Sequence, residues 1–474
     1  MEKETSQPVE LLLSVSRDDA RTLGAQVEDQ LRRAIREGAL RDGAQVPSTR
    51  DLARQLGVSR RVIVDAYGQL AAEGYLALRQ GARPRVSANA AAGAAAPAPS
   101  LAVAPRAPRA RFDFRPTAPD LSAFPRSAWL RSLRAALASM TDAELGYGDP
   151  RGAEPLRLAL GEYLGRVRGV VADPARIVVT HGYSQALALV CSALRAGGAR
   201  RIAMEDPSNV DDQWIVERAG LEVVLVAIDE HGLRVDELAR AAPDAVIVTP
   251  AHQQPSGVVL SSERRSALLA WLREHAALAI EDDYDAEFRY DRAAVGSLQG
   301  LAPAHVAYAG SASKTLAPAL RLGWLVLPQP LLDAVLREKI VADRGSSRIE
   351  EHAFADFVAR GELDRHLRRM RARYRRQRDA LVRALAQELP QAAITGIAAG
   401  LHVTVQLPGA HDDDAIRAEA ARRGLRFATM SDYGEHATGP TTLMLGYGRL
   451  PEAAMVPGVR EVAETLRAAA AHRS

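Results

Sequence analysis

The chain contains 61 lysines and arginines, of which only Lys3, Lys314 and Lys339 are lysines. A sequence drifting this far toward arginine keeps an amine mainly where an amine is required. Only an amine can shed its proton near neutral pH and condense with an aldehyde, whereas a guanidinium stays charged. Lys314 lies in the segment Ser311-Ala312-Ser313-Lys314-Thr315-Leu316-Ala317-Pro318-Ala319-Leu320-Arg321. The hydroxyls of Ser311 and Ser313 and the guanidinium of Arg321 suit a phosphate, which leaves Lys314 for a carbonyl carbon. Together they describe a Schiff-base lysine holding pyridoxal 5′-phosphate. A surface lysine spared by drift is the alternative, and Lys3 and Lys339 show that such lysines persist.

Two further segments carry chemistry of the same kind. In Glu281-Asp282-Asp283-Tyr284-Asp285-Ala286-Glu287, an extended chain would point Asp282 and Tyr284 to one face. There a carboxylate could hold a pyridinium N–H while a phenol bonds the ring's 3-oxygen. The same acid-rich segment could be a solvated loop or bind a divalent cation, but no histidine stands nearby to complete a metal site, and no metal is expected. His181-Gly182-Tyr183-Ser184-Gln185 passes into the apolar run Ala186-Leu187-Ala188-Leu189-Val190. A glycine turn at a helix start offers free N–H groups to a phosphate, though any strand-turn-helix looks similar.

The elements that would position these groups are short β-branched runs alternating with helical stretches: 177–180, 201–204, 223–226, 245–248, 277–280 and 305–308. Such runs predict buried strands of a largely parallel sheet, with ligands at their carboxyl ends. The expected class is a multidomain α/β protein.

Ahead of this region the pattern changes. Leu23, Val27, Leu31, Ile35 and Leu40 recur near helical spacing. Pro47-Ser48-Thr49 supplies a cap for a short helix from Arg50 to Leu56, ended by Gly57. Ser59 is expected to cap a third helix, Arg60 to Glu73, which Gly74 stops. Residues 75–79 and 83–86 then pair as a wing about Gly81. Two short helices joined by a tight glycine turn form a helix-turn-helix, which presents the start of its second helix to the major groove. That start carries Ser59, Arg60 and Arg61, while Arg50 is placed for the phosphate backbone and Arg79, Gln80 and Arg83 for an adjacent groove. A helical subdomain with solvated arginines is the plainer alternative.

Composition agrees with this division. The 474 residues exceed one ordinary core, and 47% hydrophobic with 25% charged residues is a globular balance. Net charge is only +3, yet residues 17–86 carry 13 arginines against 9 acids. Residues 88–111 are rich in alanine and proline and read as a linker between a module at 17–87 and a domain at 112–474. The single cysteine, Cys191, sits in an apolar run and allows no internal disulfide, which suits a reducing cytoplasm. Neither a signal peptide nor a membrane span is expected.

Specific motifs carry a family resemblance. Val46 to Ala53, Leu56-Gly57-Val58-Ser59-Arg60, Ala66-Tyr67 and Glu73-Gly74-Tyr75-Leu76 resemble the GntR-type winged helix-turn-helix, with Val62 and the wing tip 81–84 as departures. Tyr147 to Gly152, Thr249 to Gly257 (which includes Gln254), Glu281 to Tyr290, Ser313 to Gly323 and His366 to Arg371 resemble fold type I aminotransferases. The combination is similar to the MocR subfamily of GntR regulators. The resemblance implies a homodimer in which Lys314 forms the Schiff base, Asp282 pairs with the pyridine nitrogen, Tyr284 meets the 3-oxygen and Arg321 binds phosphate. Tyr183, Ser184, Ser311, Ser313 and Gln254 complete the expected cofactor shell. It further implies operator DNA as partner, and either the cofactor itself, which is favoured, or an amino compound as effector. An active aminotransferase with a DNA-binding appendage is the rival reading. Two positions depart from the resemblance: Asn209 stands where a ring-stacking aromatic is expected, and Met444 where related aminotransferases place a carboxylate-binding arginine. A thioether makes no bidentate ion pair, and Arg449, Arg348 and Arg344 are the candidate substitutes.

Overall fold

The structure is a computed structural model that describes residues 13–87, 110–290, 295–396, 398–434 and 440–471. The chain divides into two compact units, Met1–Ala107 and Pro108–Ser474. Most of the expected linker, 88–109, lies outside the described residues.

In the smaller unit, α1 (Leu23–Arg36), α2 (Thr49–Leu56) and α3 (Arg60–Ala72) precede a two-stranded wing of β1 (Leu76–Ala77) and β2 (Arg85–Val86). The apolar periodicity of α1 buries Val27, Leu31 and Ile35 against Leu52, Ile63, Tyr67 and Leu70. Leu40 joins that core from beyond the helix end rather than extending it. Ser48 caps α2, its Oγ accepting from Asp51 N at 3.2 Å, so the helix begins at Thr49. Gly57 closes α2 at φ 63°, a left-handed conformation that glycine adopts without strain. Ser59 occupies the N-cap position of α3, but its side chain makes no capping bond. The wing strands are two residues each, shorter than expected. Pro84, beside β2, has no N–H to lengthen the ladder.

The larger unit is built on an eight-stranded sheet. Its spatial order is Ile177–Thr180, Gly323–Val326, Val306–Ser311, Leu278–Asp283, Ala245–Val248, Arg201–Asp206, Glu222–Asp229 and Gly232–Leu233. The five central strands from 306–311 to 222–229 run parallel, as the apolar runs predict. Strand 323–326 was not anticipated. It runs antiparallel between 177–180 and 306–311, although Leu322 to Leu327 is an apolar run bounded by Arg321 and Pro328. Helix Tyr183–Ala196 buries Leu187, Val190 and Cys191 on one face of the sheet. Cys191 is a core thiol whose pKa burial pushes up to about 12.

A second, antiparallel sheet joins Ala393–Thr395, His402–Gln406, Thr442–Gly446 and Ala428–Thr429. It shares a core with the 27-residue helix Glu362–Glu388 and the helix Met455–Ala471. No helix among the described residues is long and apolar enough to cross a membrane.

Candidate cofactor site and DNA interface

Lys314 follows strand 306–311 directly, at the carboxyl end of the parallel sheet. Its Nζ donates to Thr117 Oγ1 at 3.2 Å. Burial lowers its pKa below the ordinary lysine value, and the charges of Asp285 and Asp282 oppose that shift only in part. The amine therefore has more of its neutral, nucleophilic form than a surface lysine.

Asp282 sits one residue before the end of the neighbouring strand, in register with Ala309. Its Oδ1 is buried without a hydrogen-bond partner among the described residues. Burial pushes its pKa well above the carboxylate range, and Asp212, Asp283 and Asp285 push it further. Asp282, Tyr183, Asn209 and Gln254 line one cavity, together with the buried carboxyl of Asp212. Asn209 is thus at the wall where a stacking aromatic is expected, and its Oδ1 caps helix Val210–Arg218. Asp212, which the sequence reading missed, has its pKa raised by burial to about 7.

The strand ends at Asp283 and the chain bends at Tyr284, so the extended geometry expected there stops one residue early. Tyr284 Oη lies 3.0 Å from His252 Nδ1, which also lies 3.1 Å from Asp285 Oδ2. Neither His252 nor Asp285 carries a signal in the sequence beyond membership of the motif segments.

The acid-rich stretch is neither solvated nor a convergent metal site. Glu281 accepts from Leu298 N and Gln299 N, both at 2.9 Å, while Asp283 accepts from buried Arg168 at 2.6 Å and from Tyr308 Oη at 2.7 Å. Glu281 and Asp283 are thus tied to different neighbours.

Gly182 (φ 84°) is the N-cap of helix 183–196, and a side chain there would meet the Arg321 guanidinium. Arg321 donates to His181 O, at the edge of the same turn, from a left-handed backbone (φ 49°). Helix N–H groups and a guanidinium thus converge where a phosphate would be held. Ser311 Oγ accepts from Ser313 N at 3.4 Å beside them, whereas Ser184 is exposed on the first turn of the helix.

These observations test whether the residues fit pyridoxal 5′-phosphate. A neutralisable amine, an unpartnered buried carboxylate oxygen and a glycine-arginine cradle are the three donors and acceptors that an aldehyde, a pyridinium N–H and a phosphate require. The residues fit.

Met444 is fully buried, in register with Thr404. Of the candidate substitutes, Arg348 donates to Asp149 O and pairs with Glu351, and Arg344 is exposed. Arg449 alone of the three lines the cavity that contains Lys314.

On the smaller unit, Arg50, Ser59, Arg60, Arg61, Arg79, Gln80 and Arg83 are all exposed. Arg60 Nε reaches Thr49 Oγ1 at 3.5 Å, and Arg61 has, among the described residues, a 3.9 Å pair with Asp65.

Residues 23–86 match the family of bacterial regulatory proteins of the gntR type, and residues 120–427 match aminotransferase class I and II. The probable rhizopine catabolism regulatory protein MocR of Rhizobium meliloti is 31% identical, with 95% of each chain covered. The chain belongs to the MocR subfamily of GntR regulators. The pyridoxine biosynthesis transcriptional regulator PdxR of Corynebacterium glutamicum is 30% identical over 93% of this chain and 95% of its own. The multiple substrate aminotransferase of Thermococcus profundus superposes on 76% of this chain and 92% of its own, with TM-score 0.70 and 25% identity. This MocR-type chain is therefore an HTH-type transcriptional regulator that carries a fold type I aminotransferase-like domain, a fold whose family depends on pyridoxal phosphate.

Proposed function

We propose that this regulator attaches pyridoxal 5′-phosphate covalently at Lys314 and grips operator DNA as a homodimer, the state of the cofactor site setting DNA affinity. The working parts are a DNA-binding module at 17–87, a linker at 88–111 and a cofactor domain at 112–474. The observation that carries the reading is the pairing of a desolvated amine at Lys314 with the unpartnered buried oxygen of Asp282. When bound, the cofactor supplies an electrophilic carbon at which an amino compound can compete with the lysine. Asp282 holds the ring nitrogen's proton, Tyr284 and Gln254 face the ring's polar edge, and Arg321, Ser311, Ser313, Tyr183 and Ser184 surround the phosphate.

In the module, the start of α3 with Ser59, Arg60 and Arg61 enters the major groove, Arg60 toward base edges and Arg61 toward a phosphate, Arg50 meets the backbone, and Arg79, Gln80 and Arg83 extend the footprint along the DNA. Paired heads imply paired half-sites. A DNA-binding role supports a cytoplasmic location. The name of PdxR, tied to pyridoxine biosynthesis, favours the cofactor itself as one signal.

The rival reading is an active aminotransferase, favoured by the fold it shares with the Thermococcus enzyme. Productive transamination demands a positioned substrate carboxylate, and the apolar, buried Met444 offers none. Titrating operator DNA with and without the cofactor tests the regulator; no specific binding in either state overturns it. Sustained multiple turnovers with amino donors and keto acids would instead establish the enzyme.

A further inference from the structure

We infer that the helix Glu362–Glu388 of the larger unit carries a second contact surface for duplex DNA, a stripe of arginines that meets phosphates flanking the operator. This rests on the reading of the smaller unit as the operator-binding head, and it adds a surface that lies outside that unit.

The helix spends one face on the core and turns the other to solvent. Leu363, Leu367, Met370, Tyr374, Leu381 and Leu385 are buried. Arg368, Arg369, Arg375, Arg376 and Arg383 are exposed. Their recurrence at seven- and eight-residue intervals is close to two helical turns, so the five share the side opposite the buried residues. From Arg368 to Arg383 the stripe runs about 22 Å at 1.5 Å per residue, roughly the length of six base pairs.

The other arginines of the helix are committed where these five are not. Arg371 donates to Glu287 O, Arg373 pairs with Asp120, and Arg365 pairs with Glu362. Among the described residues no carboxylate pairs with any arginine of the stripe. One acid shares their face, Asp379, and it pairs with Arg378 at 3.4 Å. Burial lowers the pKa of His366, on the core side, to about 4, and the charge of Arg369 adds to the fall. Like charges gathered on one face repel one another, and a bound polyanion removes that repulsion.

What the stripe lacks identifies the polyanion. A helix that lies on a lipid surface needs an apolar face to bury among acyl chains, and here the core consumes that face. Single strands are held by stacking on aromatic rings, and no aromatic or large apolar side chain is exposed along this helix. Guanidiniums in a regular row match the regular phosphates of a duplex and demand no particular base sequence. The operator-binding head of the same chain supplies that duplex at high local concentration.

The test uses the full-length protein and an operator duplex recovered from random sequence by selection on it, alone or extended on each side by about 40 base pairs of unrelated sequence. Fluorescence anisotropy at several salt concentrations gives the affinities. The extended duplex is expected to bind about tenfold more tightly at low salt and with a steeper dependence on salt. Replacing the five arginines (Arg368→Gln, Arg369→Gln, Arg375→Gln, Arg376→Gln and Arg383→Gln together) should lower the salt slope on the extended duplex by about 2 or more, at about 0.9 per phosphate contact. The advantage of the flanks should vanish with it. Flanks that add nothing in the unaltered protein, or an advantage that survives the fivefold variant, overturn the surface. So does a change in the variant's oligomeric state, which would make the face an interface between copies, or a loss confined to binding of phosphatidylserine vesicles. Should the fivefold variant not fold, Arg368→Gln/Arg369→Gln and Arg375→Gln/Arg376→Gln decide, each removing part of the flank effect. An operator bound without help from its flanks leaves the proposed function standing. If selection recovers no operator at all, the reading of the smaller unit fails and the stripe falls with it.

Discussion

Lys314 Nζ and Thr117 Oγ1 are joined by a 3.2 Å hydrogen bond across 197 positions of chain. Thr117 makes it from a backbone at φ 57°, a conformation rare for a β-branched residue. Such a conformation costs about 1–3 kcal/mol and persists only where its surroundings over-determine it. Here the surroundings are the two glycines, Gly446 and Gly448, under the carbonyls of Arg115 and Ala118.

Replacing Thr117 with valine removes the acceptor. A charged ammonium loses more by this than a neutral amine, so the Lys314 pKa falls further. The rate at which cofactor-free protein reacts with pyridoxal phosphate should then reach its half-maximum at lower pH, by roughly one unit. Stopped-flow absorbance across pH measures it, and an unmoved profile would show that Thr117 does not tune the amine.

Gly446→Ala places a methyl group against the Arg115 carbonyl and Pro116. Backbone atoms cannot rotate away, so the segment must lift. The expected result is a loss of about 1–3 kcal/mol in denaturant unfolding, the usual cost of overpacking. Weaker covalent attachment at Lys314 should accompany it, because Thr117 moves with the segment.

Glu205 is buried, with Oε2 accepting from Thr249 N at 3.1 Å and Thr249 Oγ1 at 2.6 Å. Burial outweighs those bonds and raises its pKa to about 7 from an ordinary value of 4.5. A raised pKa means the folded state binds the proton more tightly. The stabilisation is fully present below 4.5 and is lost as pH rises through about 7. Glu205→Gln imitates the neutral form, so the variant should match the parent near pH 4.5 and exceed it above pH 7, by at most about 3 kcal/mol. Thermal unfolding across pH checks the sign.

Arg61 is exposed at the start of α3, with one long ion pair to Asp65. Its replacement by alanine should weaken operator and scrambled DNA alike and lower the slope of log affinity against log salt by about 0.9, the value of one phosphate contact. Arg60, steadied by Thr49, should behave differently. Its loss is expected to reduce discrimination between operator and scrambled DNA by about 1–3 kcal/mol. Fluorescence anisotropy at several salt concentrations separates the two.

The sequence by itself determined what local rules govern. A serine cap and a left-handed glycine bounded α2, apolar periodicity set the buried face of α1, and β-branched runs marked the parallel strands. It also singled out Lys314 as the candidate amine, because three lysines among so many arginines make residue type informative. Strand 323–326 escaped notice because its apolar run directly follows a motif that drew a different reading. Only the tertiary structure decided which of Arg449, Arg348 and Arg344 shares a cavity with Lys314, that Tyr284 meets His252, and that Thr117 holds the amine. Spacing along a chain fixes neighbours within a helix turn or a strand pleat, whereas these partners are brought together by sheet order and by glycines that let distant backbone segments touch.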